Sequence, residues 1–412
     1  MATIKPFRAL RPDPFLAHQL VFPGNEQVFF FGIGEKELPL KPLKDQLETP
    51  ARKRPETEEG QQLAYEEIKR NIETLKKLAR IRLEEEPGIY IYEIVHRDYR
   101  QTGIWALTSI KDYTEGKIKI HEQTLADSER RICNYRKHTG LEGSPVLLTY
   151  PPDRAINRII AETCAGQQRS TVGSNKSQHR IWKIHNTETL KDLITAFARI
   201  EQVYLADGHH RLAATERLAN ENGADAFVSS LYIASDQLRI IDYHRVFIPE
   251  DQPDKEAILT KLKELCEIVP ATANQPVRPA RQQFMGLWLG GQWYELILKD
   301  TGSLDVVFLQ EQILKPVFGV TNSRTDSRLK CIGGETAMEE IEGILKAMPY
   351  AVSFTLCPMT VGQLMATAKA GQILPPKSTW IDPKVPYGLL MYQHSYLGRD
   401  ISAQHYDLNI RR

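Results

Sequence analysis

One segment of the sequence combines the residue types that bind phosphate. Residues 206–211 (ADGHHR) stand between an apolar strand pattern and a helix-forming stretch. Gly208 permits a tight turn there, and the start of the predicted helix offers N–H groups at the positive end of its dipole. The side chains of His209, His210 and Arg211 add donors for phosphate oxygens. The segment therefore predicts a phosphate-binding turn.

Asp207 precedes the glycine and leaves several roles open. Its carboxylate could hold a metal, orient a histidine or accept a proton. In the alternative, purely structural interpretation, Asp207 caps the helix while His209 and His210 pack beside the turn. Because adjacent residues do not share a helix face, a metal site made of the two histidines is disfavoured, and no metal-ligating set is predicted.

A histidine and a glutamate form a second candidate pair. Residues 119–124 (KIHEQT) leave a short strand pattern and contain His121 and Glu122. The Glu122 carboxylate could serve as general base if it reaches a substrate hydroxyl. The alternative interpretation is an ordinary surface pair without a catalytic role.

Two polar loops are further candidates. Residues 375–380 (PPKSTW) hold a lysine and two hydroxyls, and we interpret them mainly as a structural turn sealed by the tryptophan, with a ligand contact as the alternative. In residues 322–328 (NSRTDSR), Arg324 and Arg328 could grip an anion, but a solvated loop in which they pair with Asp326 is favoured.

Composition and charge exclude several classes of protein. The chain of 412 residues is 42% hydrophobic and 25% charged, which excludes collagen-like, disordered and coiled-coil proteins. Its net charge of +1 argues against a dedicated nucleic-acid binder. The five cysteines form no CxxC pair, so free thiols are expected. The N-terminal stretch has no apolar run of signal-peptide length, and we expect a cytosolic protein that does not bind membranes.

Strand and helix patterns mix along the chain without strict alternation, which predicts a mixed α/β, or α+β, fold. We expect two units, residues 1–250 and 251–412, with an exposed loop or linker at 36–60. The predicted helices cover residues 65–79, 212–220, 255–268, 335–348 and 361–369. The predicted strands cover residues 89–95, 104–110, 117–120, 145–150, 202–206, 226–234 and 352–356, with a long-looped hairpin around 96–103 and a tight hairpin over 286–298.

On these motifs the chain resembles a bacterial and archaeal family long classified as a domain of unknown function. The family typically carries an IKPFRALRPDP-like start and the HEQT, ADGHHR, GGxWY, RTDxR…GG and PPKSTW segments. All of them stand here in order, at residues 4–14, 121–124, 206–211, 290–294, 324–334 and 375–380. The resemblance covers nearly the whole chain.

The HEQT and DGHHR segments also look like those of free-serine kinases built on the ParB/sulfiredoxin fold, which phosphorylate L-serine with ADP or ATP and Mg²⁺. This resemblance implies such a core at about residues 86–235. The catalytic residues that the resemblance implies are Glu122 as the base, its neighbour His121, and Asp207. The nucleotide-binding residues that it implies are Gly208, His209, His210 and Arg211.

The first functional hypothesis is therefore a nucleotide-dependent kinase of free L-serine or a similar small hydroxylated metabolite. The alternative is a catalytically inactive nucleotide-binding regulator or partner protein on the same scaffold. The missing PPYD-like motif, in whose place residues 21–28 (VFPGNEQV) stand, motivates this alternative. Two further departures weaken the transfer from the kinases: Arg130-Arg131 has no aspartate immediately before the second arginine, and the small kinases do not explain the extra segment at about residues 151–199. The acceptor, the choice between ADP and ATP, and homo-oligomer formation stay open.

Overall fold

A computed structural model describes residues 2–22, 41–53, 57–97, 99–166, 169–173, 177–222, 226–272, 275–300 and 302–394. These residues form two compact units with a mixed α/β fold. The first comprises the residues up to Lys119, Thr124–Gln237 and those from Pro383; the second comprises Ile120–Gln123 and Leu238–Asp382. The sequence predicts one division near residue 250, whereas the chain passes between the units several times. Within the described ranges, no helix is both long and apolar enough to cross a bilayer.

A large mixed sheet forms the centre of the first unit. The strands of this unit, numbered in chain order, are β1 Ile4–Lys5, β2 Leu10–Pro12, β3 Ile81–Leu83, β4 Ile89–His96, β5 Tyr99–Ser109, β6 Ile118–Lys119, β7 Leu141–Glu142, β8 Val146–Tyr150, β9 Ser170–Gly173, β10 Ser177–Ile184, β11 Val203–Asp207, β12 Phe227–Ala234 and β21 Tyr392–Gln393. Nine of them form one sheet in the order β6-β11-β8-β12-β5-β4-β10-β9, with β1 on β5. The β6–β11 and β8–β12 pairs are parallel and the others antiparallel. Its central strands are buried almost throughout, as their apolar runs predict.

Helices pack beside this sheet and alternate with its strands along the chain. They are α1 Ala17–Val21, α2 Leu43–Leu47, α3 Thr49–Lys53, α4 Glu58–Lys77, α5 Lys111–Thr114, α6 Ala126–Thr139, α7 Arg154–Ala165, α8 Thr187–Phe197 and α9 His209–Asn222. The helix predicted over residues 65–79 is confirmed as α4, because Tyr65, Ile68, Ile72 and Leu75 are its buried stripe. Thr57 caps α4 by accepting a hydrogen bond from the Gly60 amide at 3.2 Å.

Two expectations for this unit are wrong. Residues 43–53, predicted as part of an exposed linker, form α2 and α3, because Leu43 and Leu47 are one helical turn apart and both fully buried. The hairpin after β4 is tight rather than long-looped, since pairing with β5 continues to His96 opposite Tyr99. Residues 21–28, where the family has a PPYD-like motif, lie mostly outside the described ranges.

Residues 151–199 contribute two strands to the large sheet of the first unit. They supply α7, β9, β10 and α8. Strand β10 pairs with β4 over eight residues, from Ser177 opposite His96 to Ile184 opposite Ile89. The ParB/sulfiredoxin-like identity of the core stays a prediction.

The second unit is built on an antiparallel sheet. Its strands are β13 Ile240–Ile241, β14 Tyr243–Phe247, β15 Cys266–Pro270, β16 Phe284–Leu289, β17 Gln292–Leu298, β18 Leu329–Gly333, β19 Val352–Leu356 and β20 Trp380–Ile381. Its helices are α10 Lys255–Leu265, α11 Asp305–Phe308, α12 Lys315–Phe318, α13 Ala337–Ala347 and α14 Val361–Lys369, with a π-helical segment at Leu309–Leu314. Six strands form a sheet in the order β15-β17-β16-β19-β14-β18.

The predicted tight hairpin of this unit is confirmed. Strands β16 and β17 pair up to Leu289 opposite Gln292, and both turn residues, Gly290 and Gly291, have positive φ. A turn of this kind closes antiparallel strands with the twist they need. The helix predicted over residues 255–268 ends earlier, at Leu265, where β-strand pairing of β15 with β17 replaces it.

Candidate functional site

The ADGHHR segment forms a strand–turn–helix in the first unit. Strand β11 lies between β6 and β8 and is buried up to Ala206. Its register with β8 shifts between Leu205 and Asp207, an irregularity that re-aims the end of a strand. Gly208 then adopts φ +99°, which only glycine takes without strain. Helix α9 begins at His209, three residues earlier than the sequence predicts, so the histidines and the arginine lie in its first turn.

Two cations hold the carboxylate of Asp207. Its Oδ2 accepts from Nη2 of Arg211 at 2.6 Å, and its Oδ1 accepts from Nζ of Lys384 at 3.0 Å. Burial raises the pKa of Asp207, but the charges of Arg211 and Lys384 outweigh it and lower that pKa to about 2. Two cationic side chains therefore lie beside the N-terminus of α9, where an anion is stabilised.

The two histidines of the turn have different surroundings. The Leu125 amide donates to Nδ1 of His210 at 3.3 Å, which links α9 to the start of α6. His209 lies near enough to Asp207 that its charge contributes to lowering the pKa of that carboxyl. In the described part of the chain, no three His, Cys, Asp or Glu residues cluster as metal ligands do.

A buried ionic network supports the first turn of α9 from below. Arg136 donates through Nη1 to the carbonyl of Arg211 at 2.8 Å and pairs through Nη2 with Glu142 at 2.9 Å. The other contacts of Glu142 are with Nε2 of His394 at 2.7 Å and the Ser229 amide at 2.9 Å. Burial alone raises the pKa of Glu142, yet Arg136 and His394 lower it, so the carboxylate is ionised in the interior. The network ties the turn to the body of the unit.

His121 and Glu122 belong to the second unit, unlike the ADGHHR turn. The carbonyl of His121 accepts from the Leu374 amide at 2.8 Å, and its Nε2 lies 3.4 Å from Oγ1 of Thr379. His121 is fully buried and Glu122 half-buried. The structure thus brings the HEQT segment onto the PPKSTW loop, a neighbourhood that the sequence did not predict.

The PPKSTW loop is a rigid turn of the second unit. The buried guanidinium of Arg245 donates to the carbonyls of Pro376 at 2.9 Å and Lys377 at 3.0 Å. Lys377 has φ +58°, a conformation that costs a non-glycine residue free energy. Trp380 lies so close to Gly333 that a Cβ there would come within 2.7 Å of the indole. These contacts agree with the structural turn that the sequence favours.

The NSRTDSR loop carries its own counter-ion. Arg328 donates to Asp326 through both Nε at 3.0 Å and Nη2 at 2.7 Å. The Arg324 amide donates to Oδ1 of Asn322 at 3.0 Å. The pairing of Arg328 with Asp326 is the one expected for a solvated loop.

A cavity of about 570 Å³ opens beside the C-terminal half of α9. Burial and the nearby Glu129 raise the pKa of Glu216 in its wall. Its lining is mostly acidic and polar: Tyr113, Thr124, Glu129, Ala213, Glu216, Arg217, Asn220 and Glu221. Because acidic walls repel phosphate, this cavity is a poorer candidate for an anion site than the start of α9.

Sequence reasoning missed Lys384 and Arg136. Lys384 follows the PPKSTW segment by four residues, and a lysine in a loop gives no signal of its partner 177 positions away. Arg136 lies in a helix, α6, that the apolar pattern does not reveal. Both residues become visible only through their contacts with the ADGHHR turn.

Strand β11 thus leads through a glycine turn into the N-terminus of α9, in a chain of mixed α/β fold. The chain belongs to the family described as Protein of unknown function (DUF1015), whose model matches residues 4–317. No curated protein matches it in sequence.

Several solved structures are similar to the chain. A free serine kinase mutant in complex with ADP is 15% identical, with a TM-score of 0.40 over 70% of this chain and 91% of that one. A conserved hypothetical protein from Pyrococcus furiosus is 14% identical, with a TM-score of 0.37 over 69% and 94%. SbnI with a C-terminal truncation, from Staphylococcus aureus, is 13% identical, with a TM-score of 0.39 over 68% and 85%.

Proposed function

We propose that this protein is a nucleotide-dependent kinase of free L-serine or a similar small hydroxylated metabolite. The observation that carries the proposal is the turn between β11 and α9, where Arg211 and Lys384 surround Asp207 at a helix N-terminus. Two cationic side chains and backbone N–H groups at one point suit the phosphates of ADP or ATP.

The residues divide the work of phosphoryl transfer. Arg211 and the first turn of α9 bind the phosphates, and His209 and His210 add donors at the same turn. Glu122 accepts the proton of the acceptor hydroxyl, whose oxygen then bonds to the terminal phosphorus while the bond to the leaving nucleotide breaks. Such a reaction needs mainly positioning and charge stabilisation, with one group to take the proton.

The ADGHHR turn is a poor ligand set for the magnesium ion that would accompany the nucleotide. Mg²⁺ is usually held by one or two carboxylates together with substrate phosphates. Both carboxylate oxygens of Asp207 already accept from cations, Arg211 and Lys384, and these repel a divalent ion. The phosphates of the nucleotide would therefore hold the ion, and no residue of the turn is assigned to it.

The test is phosphorylation of free L-serine by the purified chain with Mg²⁺, with ADP and ATP run in parallel. We expect Glu122→Gln to fold, to bind nucleotide and to lose about 10²- to 10⁴-fold in turnover. Glu256→Gln, an exposed glutamate of α10 in the same unit, is the matched control and should keep full turnover. Full activity of Glu122→Gln would remove Glu122 from the mechanism.

A second candidate is a nucleotide-binding regulator or partner protein without catalysis. The observation that favours it is that Asp207, Arg211 and Lys384 all belong to the first unit, so phosphate binding does not need Glu122. Nucleotide binding that Arg211→Ala abolishes, together with no transfer to any acceptor in a broad metabolite screen, would support this candidate over the kinase.

A further inference from the structure

The charge balance at the ADGHHR turn depends on a lysine from far along the chain. Nζ of Lys384 lies 3.0 Å from Oδ1 of Asp207, opposite the Arg211 contact at Oδ2. Arg211 and Lys384 thus bring two positive charges to one carboxylate. Lys384 therefore adds positive charge that an anion at this turn would meet.

The segment that carries Lys384 is anchored in the first unit. Strand β21 pairs with β7, and the Gly388 amide donates to the carbonyl of Gly143 at 2.9 Å. The ring of Tyr387 lies so close to Gly143 that a Cβ there would come within 2.0 Å of it. His394, at the end of the segment, contacts the buried Glu142. Both β-pairing and packing contacts therefore hold the backbone near Lys384 in place.

The side chain of Lys384 keeps the freedom to exchange partners. It is 46% exposed, and the Asp207 side chain is 38% exposed, so both groups reach solvent. A lysine ammonium is a point charge with three donors on a flexible stem, which can turn from a carboxylate to a neighbouring phosphate. The N-terminus of α9 favours that phosphate at the same place.

We propose that Lys384 is a phosphate-binding residue, whose ammonium contacts a phosphate oxygen of ADP or ATP bound at the ADGHHR turn. The proposal rests on the nucleotide site of the proposed function and adds to it a residue from the C-terminal segment. It does not depend on whether the bound nucleotide is then used for phosphoryl transfer.

The experiment measures equilibrium binding of ADP, ATP and adenosine to the full chain by calorimetry. We expect Lys384→Met to weaken ADP and ATP about 10- to 100-fold, as loss of a charged hydrogen bond does, and to leave adenosine unchanged. Lys137→Met is the matched control, because Lys137 is 43% exposed and paired with Glu221 at the other end of α9. It should bind all three ligands as the parent chain does.

A double-mutant cycle separates contact with phosphate from an effect through Asp207. In an Asp207→Asn background the ion pair between Lys384 and Asp207 is gone. If Lys384 contacts phosphate, Lys384→Met still weakens ADP at least about tenfold there. If Lys384 acts only by holding Asp207, that loss disappears and the proposal is overturned.

The remaining outcomes distinguish this proposal from the kinase. If nucleotide binding needs Lys384 but the chain transfers no phosphate to serine, the phosphate-binding role of Lys384 is upheld and the kinase function is rejected. If the chain phosphorylates serine and Lys384→Met leaves nucleotide binding unchanged, the kinase function is upheld and the role of Lys384 is rejected. Equal loss of adenosine and ADP, or no nucleotide binding by the parent chain, also overturns the assignment.

Discussion

Replacing Arg136 by methionine tests the buried network beneath the phosphate turn. Arg136 and Glu142 are 2% and 3% exposed, and the change leaves the carboxylate in the interior with Nε2 of His394, 2.7 Å away, as its nearest ionisable partner. Removing one member of a buried pair typically costs about 3–5 kcal/mol of unfolding free energy. The lost hydrogen bond to the carbonyl of Arg211 adds to this cost and loosens the turn.

The expected loss depends on pH. In the parent chain the pKa of Glu142 is lowered, so its contribution to stability is present above the unfolded pKa and is lost as the pH falls through the folded one. Without Arg136, burial has the larger effect on the pKa of Glu142 and raises it. Glu142 or His394 can then take up a proton, which relieves the unbalanced charge. The destabilisation by Arg136→Met should therefore be larger near pH 7 than at about pH 5.

Urea denaturation followed by circular dichroism at both pH values measures this difference. Arg217→Met is the control, since Arg217 is 45% exposed and its pair with Glu221 at 3.3 Å should be worth less than about 1 kcal/mol. A loss for Arg136→Met no larger than that of the control, or one independent of pH, would refute the reasoning. Nucleotide binding by Arg136→Met should also weaken, because the first turn of α9 loses its support.

Three other changes have definite expected outcomes. Gly208→Ala should destabilise the chain by about 1–3 kcal/mol on thermal unfolding and weaken ADP binding, since φ is +99° and the new Cβ would come within 2.8 Å of the Arg211 guanidinium. Burial lowers the pKa of His179 from 6.5 to about 4, so the folded chain should lose up to about 3 kcal/mol of stability as the pH falls from above the unfolded pKa to below the folded one. His179→Asn should remove that part of the acid sensitivity seen in urea titrations. Arg245→Met should cost at least about 2 kcal/mol and make the loop at Lys377 cleavable by proteases, because buried carbonyls lose a charged donor.

The sequence predicts the elements whose buried face is apolar. Helix α4 carries Tyr, Ile and Leu at helical spacing, strands β4 and β8 are apolar runs, and strand β19 alternates apolar with hydroxyl residues. These elements form where the patterns indicate. Helices α2 and α3 are missed because prolines and charges surround Leu43 and Leu47, and two buried leucines are too few to give a periodic signal. Tertiary packing against α4 supplies what local pattern lacks.

The candidate site divides in the same way. Its central turn is visible in sequence, because Gly208, the acidic residue before it and the basic residues after it are consecutive. The residues that support this turn are not visible in sequence, since helix α6 buries Cys133, Arg136 and Thr139 rather than an apolar stripe. An ion pair with Glu142 and hydrogen bonds to α9 supplement the few apolar contacts on that face, which Cys133 makes with α9. Hydrophobic periodicity cannot find a helix whose buried face carries so few apolar residues, so residues that position a polar site are the ones that sequence patterns overlook.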